Sequence, residues 1–115
     1  MSRTINPDGS ITSNIAIVGE APNNLEIEFN RPFVGPAGDL LERCLNKAAI
    51  TRSDCYVTHV IKERATDPEV FFNKHGWSKQ GLEYVNQLKS ELEGTSANVI
   101  VATGNIALAA LCGMT

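Results

Sequence analysis

The chain has 115 residues and a mass of 12.4 kDa, with 43% hydrophobic and 20% charged residues, which suits one globular domain or part of one and excludes a disordered composition. A formal net charge of −3 and a pI near 5.3 exclude a protein that holds nucleic acid mainly through a general basic field. They leave room for a DNA enzyme that grips a few phosphates with local loops. The three cysteines, Cys44, Cys55 and Cys112, contain no C-x-x-C pair, so no zinc or iron–sulfur site built within the chain is expected. They read as buried thiols of a reducing compartment. No signal-peptide core opens the sequence, and no run approaches the roughly 20 apolar residues that span a bilayer, which gives a cytoplasmic expectation.

Residues 1–13 are polar, with a turn signal at Pro7-Asp8-Gly9, and read as a flexible arm ahead of a single domain over 14–115. Asn14 to Gly19 is a short β-branched run without alternation, suited to a strand buried on both faces of a parallel sheet. No periodicity is visible from Glu20 to Gly38, so this reads as a long functional loop. Asp39 to Ile50 reads as a helix whose stripe is Leu40, Leu41, Cys44, Leu45 and Ala48. A second strand spans Cys55 to Lys62, and Glu63 to Trp77 is irregular, with Phe71, Phe72 and Trp77 read as satellite packing and His75 as a surface residue. Ser78 is a helix cap before Leu82, Val85, Leu88 and Leu92, and Gly94 closes that helix. Asn98 to Ala102 is a third strand, and Ile106 to Leu111 a small-residue helix. The alternation predicts an α/β fold, a three-layer α/β/α arrangement on a parallel sheet, lacking its C-terminal strand.

Ligands of open parallel sheets bind beyond the carboxyl ends of the strands. There the sequence places Gly19-Glu20-Ala21-Pro22-Asn23-Asn24, Thr58-His59 and Thr103-Gly104-Asn105, with Arg31 to Gly38 running into a helix start. Dinucleotide binding would need G-x-G-x-x-G, of which only the first glycine is present, and Pro22 removes a backbone donor. Neither a G-K-[ST] loop nor a G-x-S-x-G elbow occurs. An unrelated mononucleotide site at the Gly35–Gly38 helix start remains as an outside alternative.

Val18-Gly19-Glu20-Ala21-Pro22, Arg31-Pro32-Phe33-Val34-Gly35-Pro36-Ala37-Gly38, Tyr56-Val57-Thr58-His59-Val60-Ile61-Lys62 and Thr103-Gly104-Asn105-Ile106-Ala107 resemble, in order, the motifs of uracil-DNA glycosylases. The nearest branch is the one called family 4, which takes in a glycosylase-like segment of some bacteriophage DNA polymerases. The resemblance implies base flipping and hydrolysis of the uracil–deoxyribose bond in DNA, with no cofactor. By the same resemblance Phe33 stacks on the flipped base, and Gly19, Glu20, Ala21 and Pro22 wall the pocket and position water. Glu20, and secondarily Glu26, are the carboxylates for orienting water or steadying a cationic sugar. Standing alone, Phe33 also reads as a plug at the sheet's edge, Glu20 as a solvated loop acid, and Glu26 as a surface charge.

Three departures from the family pattern bear on function. His59 stands where the family places asparagine; it is assigned to catalysis and base binding, with a buried structural histidine as the alternative. Glu63 follows Lys62 where the iron–sulfur branch has cysteine, so no cluster is expected. The family's late histidine-proline motif would lie beyond Thr115. Loss of one such preorganised donor costs about 10²–10³ in rate, so the 115 residues alone are expected to be a poor enzyme. The alternative function is a non-catalytic uracil or single-stranded DNA binding module beside a polymerase segment.

Overall fold

The computed structural model describes residues 4–64 and 67–113. In chain order the elements are β1 (Ile15–Gly19), α1 (Asn24–Phe29), α2 (Pro36–Lys47), β2 (Cys55–His59), β3 (Phe72–Asn73), β4 (Gly76–Trp77), α3 (Lys79–Glu93), β5 (Val99–Ala102) and α4 (Asn105–Cys112). β1 is the centre of a parallel sheet of order β2-β1-β5, while β3 and β4 form a small antiparallel pair. Being central, β1 is covered on both faces, as its unalternating apolar sequence requires.

Strand alternation sorts the core into two layers. Ile17, Cys55 and Val57 pack with Leu45, Leu41 and Phe33 on the α2 side. Val18, Val60 and Ile61 pack with Phe71, Val85, Leu88, Ile106 and Ala107 on the α3 and α4 side. The three-layer parallel α/β expectation therefore holds, and register pairs Gly19 of β1 directly with His59 of β2.

Several local expectations are corrected. The segment read as a flexible arm is tied down over its described residues: Ile5 is buried, and Asp8 exchanges backbone bonds with Val57 at 2.8 and 2.7 Å. Residues 1–3 of that arm lie outside the described residues. The unsatisfied outer edge of β2 supplies the reason, since its N–H and C=O groups take this segment as a partner. Only Cys55 of the three thiols is buried; Cys44 and Cys112 are exposed. On α2 the inward residues are Gly38, Leu45 and in part Leu41, whereas Leu40 and Ala48 face out. β5 is an open edge with Val99 52% exposed, because strand burial depends on neighbours that a short apolar run does not specify.

β2 is anchored by polar bonds as well as packing. Buried Lys62 donates to Thr58 Oγ1 (2.7 Å), the His59 carbonyl (2.5 Å) and Glu91 Oε1 on α3 (2.6 Å). The Tyr56 hydroxyl donates to the other Glu91 oxygen at 2.7 Å. Burial pushes the Lys62 ammonium below its ordinary pKa, against the pull of Glu91. Glu91→Ala strips both donors of their acceptor and leaves a buried charge, so urea unfolding is expected to show a loss of about 3 kcal/mol or more. A loss below about 1 kcal/mol would mean that solvent already screens the pair.

Candidate active site

The site begins with a helix that apolar spacing does not reveal. α1 has six residues, too few to be stable alone. It is fixed by a capping box: the Asn23 side chain accepts from Glu26 N at 2.8 Å, and Glu26 Oε1 accepts from Asn23 N at 3.0 Å. The second Glu26 oxygen accepts from the Phe33 backbone N–H and from His59 Nε2, the latter at 3.0 Å. Glu26 is only 5% exposed, which removes the surface-charge reading. Burial alone would raise its pKa; the hydrogen bond from His59, with those from the backbone N–H groups of Asn23 and Phe33, outweighs it and holds the carboxyl below its ordinary value.

An ionised carboxylate only accepts, so the proton shared with His59 sits on Nε2. In neutral His59 the other nitrogen, Nδ1, is then a bare acceptor. It is buried and has no partner among the described residues, in a residue 4% exposed. Phe33 lies tilted against this imidazole, ring centroids 5.1 Å apart. Gly19 completes the group: a Cβ there would stand 2.3 Å from His59 Nδ1 and 2.8 Å from the Phe33 ring, so only glycine admits both. Phe33 adopts φ of +56°, a left-handed conformation that costs a non-glycine residue about 1–3 kcal/mol and is held by its surroundings.

Gly19, Phe33, His59 and Glu26 thus come together on the α2 side of the sheet. Glu20, one residue after Gly19, goes the other way. Its carboxylate lies against Gly104 and meets the Ile106 N–H at 3.4 Å, at the start of α4. Strand alternation is the cause, since neighbouring residues leave a strand on opposite faces. Ala21 packs against the α3/α4 core and Pro22 is buried. Thr103 fastens the third loop to β1, its hydroxyl donating to the Val18 carbonyl at 3.0 Å. At the α2 start, Asp39 puts an acid in the first turn, which opposes a phosphate there.

Among the described residues no group of three or more His, Cys, Asp or Glu side chains could hold a metal ion. The cysteines do not fit an iron–sulfur cluster: Cys44 is exposed on α2, Cys55 is buried at the start of β2, and Cys112 is exposed at the end of α4. The sequence reading missed Arg52, buried just before β2, whose guanidinium donates to the Phe33 carbonyl at 2.8 Å. It also missed α1, although the Asn23-x-x-Glu26 spacing is a capping-box signal.

Glu26→Gln puts an amide donor where only acceptors serve, leaving one buried N–H unpaired, and is expected to lower stability at pH 7 by about 1–3 kcal/mol. A depressed carboxyl contributes stability above its unfolded value, 4.5, and loses it as pH falls through the lower folded value. Denaturant unfolding from pH 7 to pH 3 checks both points: the variant's acid loss is expected to be shallower than the wild type's.

The profile of the Uracil DNA glycosylase superfamily matches residues 7–115. The chain is 34% identical over 101 residues to a Type-4 uracil-DNA glycosylase of Thermotoga maritima, covering 88% of this chain and 50% of that protein. A protein of the same name from Archaeoglobus fulgidus is 34% identical over 99 residues (86% and 47%), and one from Saccharolobus solfataricus 38% identical over 98 residues (84% and 43%). The chain spans about half the length, or less, of the curated relatives it matches. With the family's motif residues meeting at the carboxyl end of a parallel sheet, the chain belongs to the uracil DNA glycosylase superfamily.

Proposed function

We propose that the protein hydrolyses the N-glycosidic bond of uracil in DNA. The observation that carries this reading is the orphaned, buried Nδ1 of His59, set between the Phe33 ring and the bare Cα of Gly19. A buried polar atom without a partner is costly and calls for a ligand donor. Uracil has one in its N3–H, whereas cytosine presents a bare N3 that would meet Nδ1 acceptor to acceptor. The relatives named Type-4 uracil-DNA glycosylase support the same substrate.

On this reading the flipped base displaces the resting contact of Phe33 with the imidazole and stacks on the phenyl ring, worth about 1–3 kcal/mol. The C1′–N1 bond breaks with its electron pair leaving on uracil, and water adds at C1′. The proton lost by that water balances the charge of the released base. Glu20, whose carboxylate meets the Ile106 N–H on the opposite face of the same turn, takes by the motif resemblance the role of orienting water or steadying the cationic sugar. Placement beside a polymerase segment rests on motif resemblance alone. A cytoplasmic setting is supported by the free thiols.

Uracil release from a labelled single-stranded oligonucleotide tests the reading. Phe33→Ala is expected to slow release by about 5- to 150-fold, the kinetic equivalent of a lost stack. His59→Asn, which restores a second amide donor, is expected to raise release, and His59→Leu to abolish it. Tight binding of the oligonucleotide with no release over hours would replace catalysis with the binding-module function.

A further inference from the structure

We propose that Arg52 is a positioning residue that aims the Phe33 ring at the base; the inference rests on Phe33 being the stacking aromatic. Arg52 stands in the 3-10 turn Arg52–Asp54 that leads into β2 and is 9% exposed. Its side chain runs under the Arg31-Pro32-Phe33 segment, 19 residues upstream. Nη1 donates to the Phe33 carbonyl at 2.8 Å, and Nη2 to the Pro32 carbonyl at 2.5 Å and to Asp8 Oδ2 at 3.3 Å. A planar guanidinium spans two successive carbonyls at once, which a lysine ammonium does not do with the same geometry.

What this grip accomplishes follows from the backbone it holds. Phe33 is one of three non-glycine residues with positive φ among the described residues. The direction of its Cα–Cβ bond, and so of its ring, depends on keeping that conformation. Three restraints do so. The Phe33 N–H is fixed by Glu26; its carbonyl is pressed against the Cα of Gly38, where any Cβ would stand 2.0 Å away; and the same carbonyl is bonded by Arg52. Of these only Arg52 also holds the preceding carbonyl, so it fixes the peptide plane before Phe33 as well as the one after. Asp8, itself bonded to Arg31 at 2.9 Å, keeps the fork turned toward the loop and supplies part of the countercharge. Without Arg52 both carbonyls flanking the residue lose their shared donor, which weakens the hold of the other two restraints on its left-handed φ and lets the ring swing away from His59 and Gly19.

Two measurements on the full chain separate aiming from general stabilisation. In the first, the ring protons of His59 report the Phe33 ring current by NMR. Arg52→Met is expected to move them toward their positions in Phe33→Ala, with methyl resonances of Val18 and Leu88, on the other face of the sheet, unmoved. In the second, single-turnover uracil release is followed for Arg52→Met, Phe33→Ala and the double variant. Misplacing the stacking group is expected to slow Arg52→Met by several-fold or more, and by no more than Phe33→Ala itself, about 5- to 150-fold. The double variant is expected to be no slower than Phe33→Ala alone, while affinity for an oligonucleotide without uracil stays unchanged. Arg52→Lys, which keeps the buried charge but holds one carbonyl at a time, serves where the methionine variant fails to fold, and is expected to lie between the two in both readouts. Unmoved His59 resonances, or rate losses that multiply in the double variant, would overturn the proposal. If the wild type releases no uracil, the glycosylase reading falls, and the resonance arm alone still decides whether Arg52 aims Phe33.

Discussion

The site depends on one buried carboxylate. Glu26 accepts from the N–H of Asn23, from the N–H of Phe33 and from His59 Nε2, so a single ionised group joins α1, the loop that follows it and the end of β2. Each bond does separate work: the first closes the capping box of a six-residue helix, the second holds Phe33 in its left-handed conformation, and the third fixes the tautomer of His59. Three of the roughly four acceptor sites of this carboxylate are taken, and the group is buried. On the proposed reading the chemistry of the acids of this loop falls to Glu20, and Glu26 acts by holding Phe33 and His59 in place.

The large pattern was legible because it is written in local periodicity. The unalternating run of β1, the cap at Ser78 and the glycine after α3 all specify their elements from neighbouring residues alone, and alternation of strand and helix then dictates a parallel sheet. The parts that escaped are set by partners distant in sequence. Leu25, Ile27 and Phe29 carry no helical stripe, so α1 was visible only through its cap. The face of α2 is chosen where Gly38 meets the Phe33 carbonyl, which puts Leu41 and Leu45 inward and turns Leu40 and Cys44 to solvent. The burial of Arg52 and Glu26 runs against residue type and becomes intelligible only once their distant partners, 7 to 44 residues away, are in place.

The grouping of Gly19 with His59 and the parting of Gly19 from Glu20 have a common origin. Parallel register sets Gly19 opposite His59, so their side-chain positions share the α2 face, where the missing Cβ of glycine makes room for both rings. The next residue points to the other face, and its carboxylate ends against the first turn of α4. A four-residue motif that reads as one site in the sequence is therefore divided by the pleat into a side that meets Phe33 and His59 and an acidic side. Division of this kind gives the two sides different surroundings: a hydrogen-bonded cluster of Phe33 with the buried His59 and Glu26 on one side and a half-exposed acid at the first turn of α4 on the other.

The histidine at position 59 is best understood through this geometry. With Glu26 ionised and accepting, whatever stands at position 59 must spend a donor on it. An asparagine would give one amide hydrogen to Glu26 and keep its carbonyl oxygen and a second hydrogen for a base. Histidine gives Nε2–H to Glu26 and keeps Nδ1, an acceptor, with nothing left to donate. The exchange therefore conserves the acceptor that meets an imide N–H and removes the donor that would meet a neighbouring carbonyl. On the proposed reading, discrimination against cytosine survives the change because it rests on the acceptor, while the grip on uracil weakens by one hydrogen bond. On that reading the substitution alters how tightly the base is held more than which base is chosen, because Glu26 takes one donor from either side chain.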